Sequence, residues 1–134
     1  VLQLETHVFS QQKRMRELMA PYGTRLMAWA PLAEGRNGIF THPTLTAIGA
    51  KYGKTAAQTA LRFLMAEDVI AIPKSVHRER LVENFSIDDF ELSAEDLDAI
   101  RALDGGKPMF ADFNDPALAK FLLEYDAKFN PERQ

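Results

Sequence analysis

Cysteine is absent from all 134 residues. That excludes disulfide bridges, thiolate metal sites and thiol nucleophiles, and it suits a reducing, cytoplasmic setting. No apolar run approaches the ~20 residues that cross a bilayer, so a membrane is not an expected partner. Basic excess is missing too: 16 Lys and Arg stand against 19 Asp and Glu, a net charge of -3. A general nucleic-acid surface needs the opposite balance, so any anion site must be local. The three histidines, His7, His42 and His77, show no metal-ligand spacing, and no metal is expected. There is no G-x-G-x-x-G, no Walker loop and no nucleophile elbow.

What remains is the material of one folded unit, 46% hydrophobic and 26% charged. Val1 to Glu5 alternates apolar and polar as a half-buried strand does. A chain opening directly on such a strand, without an initiator methionine, reads as a piece of a larger protein. Ser10 is placed to cap a helix bearing Met15, Leu18 and Met19, with Gly23 beyond its end. The run Leu26 to Ala30, closed by Pro31, predicts a strand buried on both faces. Pro43 suits the first turn of a helix ending at Gly53. Thr55 and Gln58 form a capping box for a helix lasting to Ala66. Val69 to Ile72 predicts a third strand, followed by a helix from Arg78 to Asn84. Ser93 with Asp96 opens another, with Leu97, Ile100 and Leu103 on its apolar face and Gly105-Gly106 at its end. Asp115 precedes a last helix carrying Leu118, Phe121, Leu122, Tyr125 and Phe129. Strands alternating with helices make successive βαβ units of an α/β fold around a parallel sheet.

Against the acidic background, IPKSVHRERLVEN gathers Lys74, Ser75, His77, Arg78 and Arg80 where the third strand ends and a helix begins. Ligands of parallel α/β folds collect at strand carboxyl ends, and a helix N-terminus favours an anion. Arg80 could fork onto phosphate oxygens and Lys74 act as a point charge. A solvated basic helix face, balanced by Glu79 and Glu83, explains the same residues equally well. Gln3 and Glu5 share one face of the opening strand, to hold a ligand amide or simply to be satisfied within the fold. Trp29, the sole tryptophan, either fills core or offers a flat surface for a ring.

The segments VLQLETHVFSQQ, LMAWAPLAEG, YGKTAAQTALRF and IPKSVHRERLVENFSIDDFELSAEDLDAI, closed by LD, resemble the carboxyl-terminal part of an aldo-keto reductase. IPKS followed by R-x-x-E-N and D-F-E-L-S is close to a family signature. The likeness is unbroken over residues 1–104. Residues 105–134 more loosely resemble the tail of the bacterial and prostaglandin-synthase-like branches.

The resemblance implies a (β/α)8 TIM barrel that binds NADPH and reduces aldehydes or ketones. This chain would supply its last three β/α units (1–104) and a carboxyl-terminal loop and helix bordering the substrate pocket (105–134), where Met109, Phe110 and Phe113 make an apolar wall. The barrel would be incomplete, its missing amino-terminal half and a small carbonyl substrate being the partners. Carried over motif by motif, Gln3 meets the nicotinamide carboxamide and Trp29 stacks on the ring. Ala30, Pro31 and Leu32 line the pyrophosphate path. Lys74, Ser75 and Arg80 hold the adenosine 2′-phosphate, Val76 beside them also counts among the cofactor-binding residues, and Glu83 and Asn84 lie near the adenine.

Departures from the family pattern are Leu2 for asparagine, Val8 for proline, Ala30 for serine, His77 for threonine or arginine, and Glu34 as an anion in the phosphate-covering loop. The family's catalytic Asp, Tyr, Lys and His come from earlier strands. None of Tyr22, Tyr52 or Tyr125 takes the tyrosine's place, so no catalytic residue is assigned and the chain alone is expected to be inactive. Two other readings stay open: a phosphate-ligand TIM-barrel isomerase or aldolase, and a non-catalytic nicotinamide-nucleotide-binding relative.

Overall fold

Three short parallel strands form the centre: β1 (Leu2–Glu5), β2 (Leu26–Trp29) and β3 (Ile70–Ala71), in that spatial order. The computed structural model describes residues 1–111 and 115–129, at 119 and from 125 onward by the backbone alone. Phe113 and the side chains of Tyr125 and Phe129 lie outside the described residues. Around the sheet run α1 (Lys13–Met19), α2 (Pro43–Tyr52), α3 (Ala56–Ala66), α4 (Arg78–Phe85), α5 (Ala94–Arg101) and α6 (Pro116–Phe129). Among the described residues no helix is long and apolar enough to cross a membrane.

Register sorts the sheet into two faces. Gln3 pairs with Met27, Glu5 with Trp29, and Met27 with Ile70; Leu4 and Ala71 both pair with Ala28. Paired residues project to the same side. Leu2, Leu4, Leu26, Ala28 and Ala71 therefore face the helices, packing with Val8, Met19, Ile39, Leu45, Phe63, Leu64 and Ile100. The opposite face carries Gln3, Glu5, Met27, Trp29 and Ile70. There Gln3 is exposed, and Met27, Trp29 and Ile70 are half-buried. The apolar run of β2 is thus buried on one face only, unlike the two-sided burial its composition predicts. β1 and β3 are both edge strands.

Helix ends obey local chemistry. Thr55 Oγ1 accepts from the Gln58 N–H at 3.2 Å while Gln58 Oε1 accepts from the Thr55 N–H at 3.0 Å, the reciprocal box that starts α3. Ser93 Oγ accepts from the Asp96 N–H at the start of α5, and Asp115 Oδ1 from the Ala117 N–H at the start of α6. Asp96 also fastens α5 to α2, accepting from Lys51 and, at 2.6 Å, from the Tyr52 hydroxyl. Burial pushes its carboxyl up, but those bonds outweigh it and hold it below the usual aspartate range.

Three boundaries differ from expectation. Ser10 does not cap α1; it exchanges backbone bonds with His7, and the chain enters α1 through Gln12 at φ 53°. The tight His7–Ser10 loop occupies the cap, while Gln12 Nε2 donates to the Glu5 carbonyl at 2.8 Å. Val69 is not in β3, because its N–H closes the end of α3 on the Leu64 carbonyl. α5 stops at Arg101 rather than at Gly105, whose N–H instead donates to the Phe9 carbonyl at 2.9 Å.

Gly49 marks the closest approach of α2 to the start of α3. A Cβ there would lie 2.5 Å from the Lys54 carbonyl oxygen and 2.8 Å from Thr59 Oγ1. The Lys54 N–H is itself bonded to the Gly49 carbonyl, so that backbone cannot retreat freely. Gly49→Ala is expected to destabilise the fold by about 1–3 kcal/mol. Urea unfolding measures it, and an unchanged midpoint would show that the contact is slack.

Candidate functional site

The carboxyl ends of β2 and β3 open into a groove made of two adjoining cavities, each of about 390 Å³. One is lined by Ala30, Pro31, Leu32, Glu34, Ile72, Pro73 and Lys74. The other is lined by Leu32, Phe40, Thr55, Ala57, Lys74, Ser75, Arg80, Glu83 and Asn84. Leu32 and Lys74 belong to both, so the groove is continuous from the end of β2 to the first turn of α4. The backbone leaving β2 is unusual: Ala30, Ala33 and Glu34 adopt φ of 50°, 49° and 49°. Three non-glycine residues in the left-handed region cost energy and persist only where the surroundings enforce them.

Arg80 is the third residue of α4, where backbone N–H groups lack intrahelical partners. Ser75 Oγ accepts from the His77 N–H at 3.1 Å, turning the chain into the helix. Glu83 is held aside: its Oε1 accepts from Thr55 Oγ1 at 2.6 Å, and its carbonyl accepts from Gln58 Nε2 at 3.1 Å. Among the described residues neither Lys74 nor Arg80 takes part in an ion pair, whereas Arg16, Lys51, Lys54 and Arg101 all do. Two unspent cations, a hydroxyl and a helix N-terminus thus converge on one concavity, which suits a phosphate.

On the open sheet face, Trp29 is half-buried under Phe110, with ring centroids 5.2 Å apart and planes at 53°. The Arg36 guanidinium lies 4.5 Å from the Phe110 centroid. Below them Glu5, 1% exposed, accepts from the Met109 N–H at 2.6 Å and the Phe110 N–H at 3.1 Å. His7 Nδ1 accepts from the Phe9 N–H, so its Nε2 carries the proton and donates to Glu5 at 3.1 Å. The neutral ring satisfies both neighbours. Burial accordingly holds the His7 pKa below its ordinary 6.5, against the opposing pull of Glu5 and Asp104.

A sequence profile described as Aldo/keto reductase family matches residues 40–105. An aldo-keto reductase of Mycobacterium sp. (strain KMS) is 41% identical over 112 residues, covering 84% of this chain and 40% of the relative. This chain belongs to the aldo/keto reductase family. The glyoxal reductase of Bacillus subtilis (strain 168) is 42% identical over 103 residues, covering 77% of this chain and 37% of the relative. A crystal structure of a Gox0644 mutant in complex with NADPH superposes with a TM-score of 0.78 at 35% identity, covering 84% of this chain and 41% of that one. The chain therefore spans about two fifths of the length of the curated family members it matches.

Within this family member, the groove brings together Ala30, Pro31, Leu32, Lys74, Ser75, Arg80, Glu83 and Asn84. Trp29 ends the strand that leads into it, and Gln3 lies on the same sheet face, two register positions back on β1. Val76 is 75% exposed and lines neither cavity. Phe40, Thr55 and Ala57 also line the groove and carried no chemical signal in the sequence. The Glu5–His7 pair was equally silent, although their spacing places both on one side of the chain.

His7 generates a pH dependence. With its folded pKa below the unfolded 6.5, the unfolded chain binds more protons, so stability is full above pH 6.5 and falls as pH drops towards the folded value. The urea midpoint of the protein is expected to decrease between pH 7 and pH 5. His7→Asn, which keeps an acceptor for the Phe9 N–H, should flatten that decline. An equally steep fall in the variant would assign it elsewhere.

Proposed function

We propose that this chain is the cofactor-binding part of an NADPH-dependent aldo-keto reductase that reduces aldehydes or ketones to alcohols. The observation that carries the reading is the pair of unpaired cations, Lys74 and Arg80, beside Ser75 at the mouth of β3. A dianionic 2′-phosphate matches that charge, where a ribose hydroxyl would leave it unanswered. The residues present fit the group: Arg80 would fork onto phosphate oxygens and Lys74 would add a point charge. Glu83 and Asn84 sit one turn further along α4 and line the same cavity, where the adenine end would lie. Pro31 and Leu32 would flank the pyrophosphate, Trp29 the nicotinamide ring, and Gln3 its carboxamide. NADPH, when bound, supplies the hydride.

In the same reading, residues 1–104 are the last three β/α units of a (β/α)8 barrel, and 105–134 form a loop and helix beside the substrate. Among the described residues both sheet edges are open and one face is only partly covered, whereas a closed barrel has no edges and fills its interior. The aspartate, tyrosine, lysine and histidine of the chemistry would come from the missing amino-terminal half, leaving this chain to bind and orient. The intact enzyme would work in the cytoplasm on a small carbonyl compound. The resemblance of the R-x-x-E-N helix favours this over a sugar-phosphate isomerase or aldolase, which has no adenine to accommodate.

Arg80→Ala in the intact protein should weaken NADPH binding by about 1.5–3 kcal/mol, the worth of a hydrogen bond to a charged group. NADH binding should barely change. Fluorescence titration with both cofactors measures this, and equal losses for the two would remove the 2′-phosphate assignment.

A further inference from the structure

The tail crosses the open sheet face beside Trp29, and one buried side chain holds it there. Glu5 directs Oε1 to the Met109 N–H and Oε2 to the Phe110 N–H, across 104 and 105 residues of sequence. Two consecutive amides gripped by one carboxylate set the position and the direction of the segment. They therefore also set where the Phe110 ring falls. Charge-assisted bonds of this kind are about twice as strong as neutral ones. Burial of Glu5 (1% exposed) and of His7 (0%) shields the grip from water.

The Phe110 ring so placed stands 5.2 Å from Trp29, the register partner of Glu5, and inclined to it at 53°. The Arg36 guanidinium, from the loop after β2, lies over the Phe110 ring at 4.5 Å from its centroid. Loop, strand and tail thus meet at one aromatic corner, Trp29 and Phe110 inclined to each other with the Arg36 guanidinium against Phe110. A planar ring fits such a corner better than a short alkyl chain does.

We infer that Glu5 is a positioning residue for the carbonyl site: it seats Phe110 as an aromatic wall beside Trp29 and so biases the enzyme toward aromatic over short aliphatic carbonyl substrates. The inference rests on the reductase reading above. It assigns Glu5 no contact with substrate or cofactor. Its influence passes through two backbone amides to one ring. Glu5→Gln tests the grip with little change of shape, since the amide retains one acceptor oxygen and loses the other.

The experiment compares the intact wild-type protein with Phe110→Ala and Glu5→Gln, using benzaldehyde and propanal at saturating NADPH. Amide hydrogen exchange across residues 105–111 is followed in parallel. Phe110→Ala should lower kcat/KM for benzaldehyde relative to propanal about three- to tenfold, the worth of one aromatic contact, and mainly through KM. Glu5→Gln should shift the ratio in the same direction and speed exchange in 105–111 about tenfold or more. The preference for NADPH over NADH should stay within about twofold of the wild-type value in both variants, because neither residue lines the phosphate groove. An active enzyme whose substrate ratio is unmoved by either variant overturns the inference alone, as does unchanged exchange in Glu5→Gln. A wild-type protein that reduces neither aldehyde overturns the reductase reading and this inference with it.

Discussion

All three strands run the same way, and that direction governs everything built on them. In a parallel sheet the loops leaving every strand emerge on one rim, so the segments after Glu5, Trp29 and Ala71 are neighbours although 24 and 42 residues separate them in sequence. The rim therefore collects the strained loop that begins at Ala30, the turn at Ser75, and the tail drawn in by Glu5. An antiparallel arrangement would have sent alternate loops to opposite ends and dispersed the groove. Opposite the helices, the Gln3–Met27–Ile70 row stays partly open among the described residues, with Gln3 exposed and Met27 and Ile70 half-buried.

Charge is distributed with a division of labour. Glu67 takes Arg16 and Arg101 and Asp96 takes Lys51, which tie helices and their ends together, and Asp89 takes Lys54 between two connecting loops. Burial raises the Glu67 carboxyl, but its arginine bonds prevail and hold it below the ordinary glutamate range. Lys74 and Arg80 have no such partner among the described residues. Glu83, which lines the same cavity, is bonded to Thr55 Oγ1. The start of α3 thus orients that carboxylate without an ion pair to either cation. This is the energetic logic of the proposed cofactor site: an anion entering the groove meets charge that folding has not already spent.

Legibility in the sequence followed the range of the interactions. Pro43, Gly53, Thr55 with Gln58, Ser93 and Asp115 were readable because each acts on backbone within a few residues. The cluster at Lys74, Ser75 and Arg80 was readable because a strand end followed by a helix start is a local pattern with a known consequence. Ser10 misled, since a four-residue loop closed by His7 and Ser10 competes with capping and cannot be seen in composition. Val69 was lost to β3 because the end of α3 needed its N–H. The Glu5 grip on Met109 and Phe110 was beyond reach, being a contact across the whole chain. Glutamate on a strand face looks the same whether it meets water or two backbone amides.

The proposed cofactor site makes the groove between β2, β3 and α4 the seat of a 2′-phosphate. Calorimetric titration of the intact protein with 2′,5′-ADP and with 5′-ADP isolates that phosphate from the rest of the cofactor. Binding of 2′,5′-ADP should be about tenfold tighter or more, as expected for charge-assisted bonds from Lys74 and Arg80, and the advantage should shrink as salt is raised. Equal affinity for the two nucleotides at low salt would contradict the account.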